Sequence, residues 1–197
     1  RPTNSYYLSG FMAVSYSRPI VVLLPLNKEE AILIVPKLDD DFARECSWIK
    51  DVRSYVEFPI AGEKVTETDP LKMLADAIRE LELADKTICV EENFLPVQIY
   101  DRLKRELPKA RFSDCSAMLE EARLVKESEE VKLIAAAAEL SDLGVQASIA
   151  TIKEGRTQAE INSVGDQRLF AEAARRYPKS RIFPWQAFSL TLSGLES

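Results

Sequence analysis

The sequence predicts an α/β protein of layered architecture, and three observations carry that prediction. As far as Ser113, short β-rich runs alternate with segments of helical spacing, the pattern of strands covered by helices. The composition, 46% hydrophobic and 29% charged, is that of a soluble globular chain. The length, 197 residues, suits one ordinary domain or one domain plus part of a second. A chain of that size buries about 70% of its unfolded surface and needs no disulfides for stability.

Each element follows from local chemistry. Ile20 to Leu26 and Ala31 to Val35 are β-rich runs separated by Asn27-Lys28-Glu29-Glu30, which predicts a hairpin. Leu38 to Ile49 has helical spacing, with Leu38, Phe42, Ala43, Cys46 and Ile49 on one face. Val52 to Phe58 reads as a strand with Val52, Ser54, Val56 and Phe58 on one side. Asp69-Pro70 opens a helix, Asp as N-cap and Pro at the first helical position, that runs to about Leu83 with Leu71, Leu74, Ala75, Ile78 and Leu81 inward. Lys86 to Glu91 is expected to be a short buried strand and Cys89 a core thiol. Val97 to Leu107 is a helix stopped by Pro108, and Ala110 to Ser113 a weak strand.

From Ser116 the composition turns helical. Ser128 is the expected N-cap of a helix reaching about Ile152, with Gly155 as its C′ residue. Thr157 and Glu160 form a capping box that starts a second helix, ended before Pro178. Gln186 to Leu192 alternates like a strand. The expected division is a domain over 1–124 and a smaller unit over 125–197.

Composition also excludes functions. The chain has no histidine, which removes imidazole acid–base chemistry, His-containing triads and His-ligated zinc from these residues. A net charge of −6 with scattered basic residues argues against nucleic acid. No apolar run reaches a membrane span on this reading; Pro19 to Leu26 is too short. Three scattered Cys without a Cys-x-x-Cys, and no signal-peptide pattern, suggest a reduced, cytoplasmic chain. Asp39-Asp40-Asp41 is read as a solvated, dipole-favoured helix start, not a metal site. Glu91-Glu92 ends a strand without convergent partners. Tyr6, Tyr7, Phe11, Tyr16 and Arg18 precede the first clear strand and are expected on a turn or loop. They are either interface and substrate anchors or side chains packed on the domain itself.

Four motifs in order then resemble one family. Asn4-Ser5-Tyr6-Tyr7-Leu8-Ser9-Gly10-Phe11 resembles the Asn-x-x-Tyr-Leu-x-Gly-Phe motif of the creatinase/prolidase N-terminal domain. Ile34 to Leu38 is similar to the stretch that follows there. Arg123 to Val131 looks like the family's linker, and Gly155 to Ile161 like the turn opening the second helix of its catalytic pita-bread domain. The resemblance implies a three-layer domain with a mixed sheet, followed by the first helices and strand of a pita-bread α+β domain. It implies a parent Xaa-Pro dipeptidase or aminopeptidase, homodimeric, acting on short proline-containing peptides with two divalent ions (Mn, Co or Zn) as cofactors. The domain present here would serve dimerisation and substrate access.

Phe188 to Gly194 resembles the first pita-bread strand, and the family's first active-site His and all its metal ligands come later. The resemblance therefore implies a piece of a longer polypeptide, cut at both ends, inactive as it stands and without catalytic or metal-binding residues. Counting from Gly10, the aromatic and the Arg that in creatinase reach a neighbouring subunit's active site fall on Tyr16 and Arg18; Tyr7 and Phe11 are grouped with them as substrate-binding or access residues. Two alternatives stay open: a non-catalytic protein-interaction module on the same fold, and a non-peptidase relative such as creatinase, an ectoine hydrolase-like or a sulfonio-lyase-like enzyme.

Overall fold

A computed structural model describes residues 1–13, 18–26, 28, 30–59 and 67–180. The chain divides into two compact units, Arg1–Leu124 and Val125–Ser197.

The N-terminal unit is a mixed α/β structure. Helix α1 (Pro2–Ser9) precedes strands β1 (Val21–Leu23) and β2 (Ile32–Pro36). A 3-10 turn (Lys37–Asp39) and helix α2 (Asp40–Cys46) lead to β3 (Asp51–Tyr55). Then follow α3 (Pro70–Glu80), β4 (Thr87–Val90), α4 (Val97–Glu106), β5 (Arg111–Asp114) and α5 (Ser116–Leu124). β1 and β2 form the expected hairpin, antiparallel with Val22 opposite Leu33. β2 pairs with β3 in parallel, Leu33 opposite Val52. β4 and β5 form a separate parallel pair, Cys89 opposite Ser113.

The layers follow from β2, which is buried along its whole length. Ile32 and Ile34 face one core with Tyr55, Leu71, Leu74, Ile78, Leu103 and Leu107. Leu33 and Val35 face the other with Phe11, Ala43, Ile49 and Val52. A strand covered on both sides has no polar face, so its sequence is a continuous apolar run. α3 starts where the Asp69-Pro70 pair puts it: the Asp69 carboxylate accepts hydrogen bonds from the N–H groups of Leu71 (3.0 Å) and Lys72 (3.4 Å) and also pairs with Arg102.

Four expectations are corrected here. The helix expected over 38–49 is a 3-10 turn plus a short α-helix, and the change of period takes Leu38 out of the buried stripe to 76% exposure. Asp39 and Asp40 are buried instead of solvated. Asp40 is compensated by Lys37 at 2.9 Å and Arg44 at 3.1 Å. The strand expected over 52–58 ends at Tyr55, so Val56 and Phe58 fall outside it and Phe58 is exposed. Cys89 is exposed, because β4 packs only Ile88 against the core and turns Cys89 outward.

The C-terminal unit is described as a helix pair, α6 (Ser128–Thr151) and α7 (Gln158–Arg176). Glu127, not Ser128, is the N-cap of α6, and its N–H donates to Glu130 Oε2 at 2.9 Å. α6 stops at Thr151, so Gly155 lies beyond its end, in the connecting turn at φ +82°. The capping box of α7 is present: Glu160 N–H donates to Thr157 Oγ1 at 3.2 Å and Thr157 N–H to Glu160 Oε2 at 2.9 Å. α6 is also long and apolar enough in composition to cross a membrane. Its alanine-rich apolar run, broken by Glu139 and Asp142, hides that from a search for unbroken apolar stretches. The strand expected over 186–192 lies outside the described residues.

Candidate functional site

Helix α1 and the segment that follows it carry the site residues the sequence singles out. Tyr6 and Tyr7 stand on α1 and not on a loop, 44% and 42% exposed. The helix has little amphipathic pattern to reveal it; tertiary polar contacts hold it. Asn4, 1% exposed, donates from Nδ2 to Glu91 Oε1 (2.5 Å) and accepts at Oδ1 from Arg123 Nη1 (2.8 Å). The Arg123 guanidinium lies 5.9 Å from the centre of the Tyr7 ring, whose hydroxyl donates to the Ala122 carbonyl at 3.4 Å. The first and third motifs thus meet on one cluster, with Glu91 as a structural acceptor.

α1 ends at Gly10, whose φ of +71° is the left-handed conformation that glycine adopts without penalty. Ser9 fixes the turn: its hydroxyl accepts from Phe11 N–H (3.0 Å) and its carbonyl accepts from the Ser47 hydroxyl (2.7 Å). Phe11 is then delivered into the core at 1% exposure, edge-on to Phe42 with ring centres 5.5 Å apart. Its ring is spent on packing. Tyr16 lies outside the described residues.

Arg18 re-enters beside the carboxyl ends of β2 and β3. Its Nε forms an ion pair with Glu57 Oε2, and both side chains are about one-quarter exposed, 27% and 26%. Next in the chain, the Pro19 carbonyl accepts a hydrogen bond from the buried Tyr55 hydroxyl at 3.0 Å. Burial, reinforced by Glu57 and opposed by Arg18, pushes the Tyr55 hydroxyl well above its ordinary pKa. Asp39, 7% exposed, is pushed up by burial; the Arg18 charge pulls it back and the Glu57 charge pushes it further. Arg18 therefore sits in a small charged nook with Asp39, Tyr55 and Glu57 around it. Chemically, such a nook can present a fixed cation to a carboxylate.

The sequence marks Arg18, and marks Asp39 only as part of an acidic helix start; nothing in it links Asp39, Tyr55 and Glu57 to the arginine. They come from three places (the 3-10 turn, the last residue of β3 and the segment after it), and no motif spacing links them. Among the described residues no group of three or more His, Cys, Asp or Glu side chains could hold a metal ion. The described residues do not fit the pair of metal ions that the resemblance implies.

Comparison with known proteins identifies the domain. Residues 1–125 match the family model described as the creatinase/prolidase N-terminal domain. An Xaa-Pro dipeptidase of Lactobacillus helveticus is 27% identical over 169 residues, covering 85% of this chain and 43% of that protein. An Xaa-Pro dipeptidase of Pyrococcus horikoshii is 26% identical over 158 residues, covering 80% and 38%. The chain thus spans less than half the length of these curated relatives. Among solved structures, an X-Pro aminopeptidase from Thermotoga maritima superposes with a TM-score of 0.68 at 21% identity, over 87% of this chain and 43% of that one. The three-layer arrangement and mixed sheet agree with that fold. This chain belongs to the creatinase/prolidase N-terminal domain family.

Proposed function

We propose that the chain is the N-terminal portion of an Xaa-Pro dipeptidase or aminopeptidase, and that its role there is dimerisation and control of substrate access. The observation that carries this reading is the family match over residues 1–125 together with an Xaa-Pro dipeptidase relative whose similarity, over 169 residues, reaches into the second unit. In the complete protein, Arg18, with Tyr16 nearby in the chain, reaches a neighbouring subunit's active site and holds the substrate carboxylate. A half-buried guanidinium on a restrained backbone supports that role. Bond cleavage, and the two divalent ions that would activate water for it, belong to residues beyond these 197. The three free cysteines suit a cytoplasmic setting.

The test compares the 197-residue chain with the complete protein on an Xaa-Pro dipeptide with Mn. The complete protein is expected to turn the dipeptide over as a dimer and the 197-residue chain to leave it intact. Turnover by the shorter chain overturns the division of labour. A complete protein that binds partners but cleaves nothing replaces the reading with that of an interaction module.

A further inference from the structure

Arg18 is held on two sides by residues that no motif marks. Its side chain pairs through Nε with Glu57, which follows the last residue of β3 by two positions. Its backbone is fixed from the other direction: Arg18 precedes Pro19, which restricts it to extended conformations. The Pro19 carbonyl is tied in turn to the buried Tyr55 hydroxyl. Tyr55 ends β3 with 1% exposure, packed in the core with Ile34, Leu71 and Ile78. The end of β3 and the segment just after it therefore supply both restraints, one through Tyr55 to the Arg18 backbone and one through Glu57 to its guanidinium.

An arginine has many rotamers, and a cation that must meet a carboxylate gains from having its rotamer chosen in advance. Pairing at Nε engages one edge of the guanidinium, and the planar fork carries donors for a second carboxylate along another edge. The energetic logic is pre-organisation: the ordering cost falls on folding and not on binding. Asp39 adds a second, buried acid whose charge interacts with Arg18, so the site opposes two acidic side chains to one guanidinium.

We propose that Glu57 is a positioning residue for Arg18, holding the guanidinium in the orientation that receives the carboxylate of the substrate. This rests on the reading of Arg18 given above. Glu57 itself touches no substrate in this scheme; it acts through the arginine.

The experiment uses the complete protein and a matched pair of substrates, an Xaa-Pro dipeptide with a free carboxylate and the same dipeptide amidated at its C-terminus. Arg18→Ala is expected to raise KM for the free acid by about tenfold or more, the scale of one lost charge-assisted contact, and to leave KM for the amide unchanged. Glu57→Gln is expected to move KM in the same direction by a smaller factor, at unchanged kcat. Glu57→Asp should restore part of the loss, and the thermal melt should stay in place. A KM unchanged by Arg18→Ala removes the carboxylate reading and this inference with it, as does absence of turnover by the parent protein. A KM raised by Arg18→Ala but unmoved or lowered by Glu57→Gln removes this inference alone; a lowered KM would make Glu57 a competitor of the substrate. Equal losses on the acid and the amide for Glu57→Gln would likewise overturn positioning in favour of a general structural defect.

Discussion

The two units bury their apolar residues in different ways. In the N-terminal unit, β2 sits between two apolar clusters and contributes alternate residues to each, so Leu33, Ile34 and Val35 are all 0% exposed. In the C-terminal unit, the described helices α6 and α7 bury little: Ile161, Ala173 and Glu172, with Gly144 and Gly165 where the backbones approach. Val131, Leu133, Ile134, Val145 and Ile149 of α6 stay more than half exposed. The helices are joined by close approach and polar pins. A Cβ on Gly144 would lie 3.1 Å from the Gly165 carbonyl oxygen, the Ser148 hydroxyl donates to the Ile161 carbonyl at 3.1 Å, and Arg176 pairs with Glu139 at 3.2 Å. The lesson is that one unit is specified by side-chain packing on two faces and the other, in its described part, by a glycine step. The two should respond to different mutations.

The largest effect is expected from Leu33→Ala. It empties a fully buried site in the central strand, and such truncations cost about 2–5 kcal/mol. Denaturant unfolding followed by the N-terminal unit's signal should show the midpoint fall, while hydrogen exchange in α6 and α7 stays unchanged. A parallel loss of protection in α7 would break the comparison, because it would mean that the units unfold as one. Gly144→Val is the reciprocal change. Its branched Cβ meets backbone at the Gly165 carbonyl and the Leu169 Cβ at 3.4 Å, neither of which is the far end of a flexible chain. Overpacking of this kind costs about 1–3 kcal/mol. Loss of amide protection confined to α6 and α7 is the expected readout, and full protection there would show that the glycine step is not what joins the helices.

Legibility in the sequence divides along another line. Periodicity and caps were sufficient where one element carries its own signal: the Asp69-Pro70 start of α3, the Thr157–Glu160 box of α7, and the hairpin of β1 and β2. They failed where tertiary burial sets the pattern. β3 stops at Tyr55, so an alternation carried on to Phe58 misplaces an exposed residue. α1 has almost no apolar stripe and is held by Asn4, Ser9 and their distant partners. The candidate site shows the same limit. Arg18 is visible as a residue type in a suggestive place, but its neighbours Asp39, Tyr55 and Glu57 converge only because β2 and β3 run in parallel to one end of the sheet. The acids of the Asp39-Asp40-Asp41 run illustrate it most plainly. Their order suggests a solvated helix start, whereas the 3-10 turn rotates the first two inward and leaves Asp41 exposed.

That rotation sets up the smallest and most specific of the expected effects. Asp39 is buried and its carboxyl is raised above its ordinary pKa by burial first, with Arg18 partly offsetting the shift. A carboxyl raised on folding binds its proton more tightly in the native state than in the unfolded chain. Stability from this group is therefore fully present below the unfolded value of about 3.9 and is lost as pH rises through the folded value. At neutral pH the charged Asp39 is a net cost, lessened by Arg18. Asp39→Asn should accordingly unfold at higher urea than the parent at pH 7, and the advantage should shrink as pH falls toward 4. Arg18→Gln should act in the opposite sense, since it removes the cation that makes the buried charge tolerable. The two substitutions together should show coupling, because with Asp39 neutral Arg18 keeps its ion pair with Glu57 but no longer offsets a buried charge. A parent more stable than Asp39→Asn at pH 7 would show that the Arg18 charge outweighs burial at this site. The nook would then be a paired ion cluster in its own right, and Asp39 would join Glu57 as a residue that fixes the arginine.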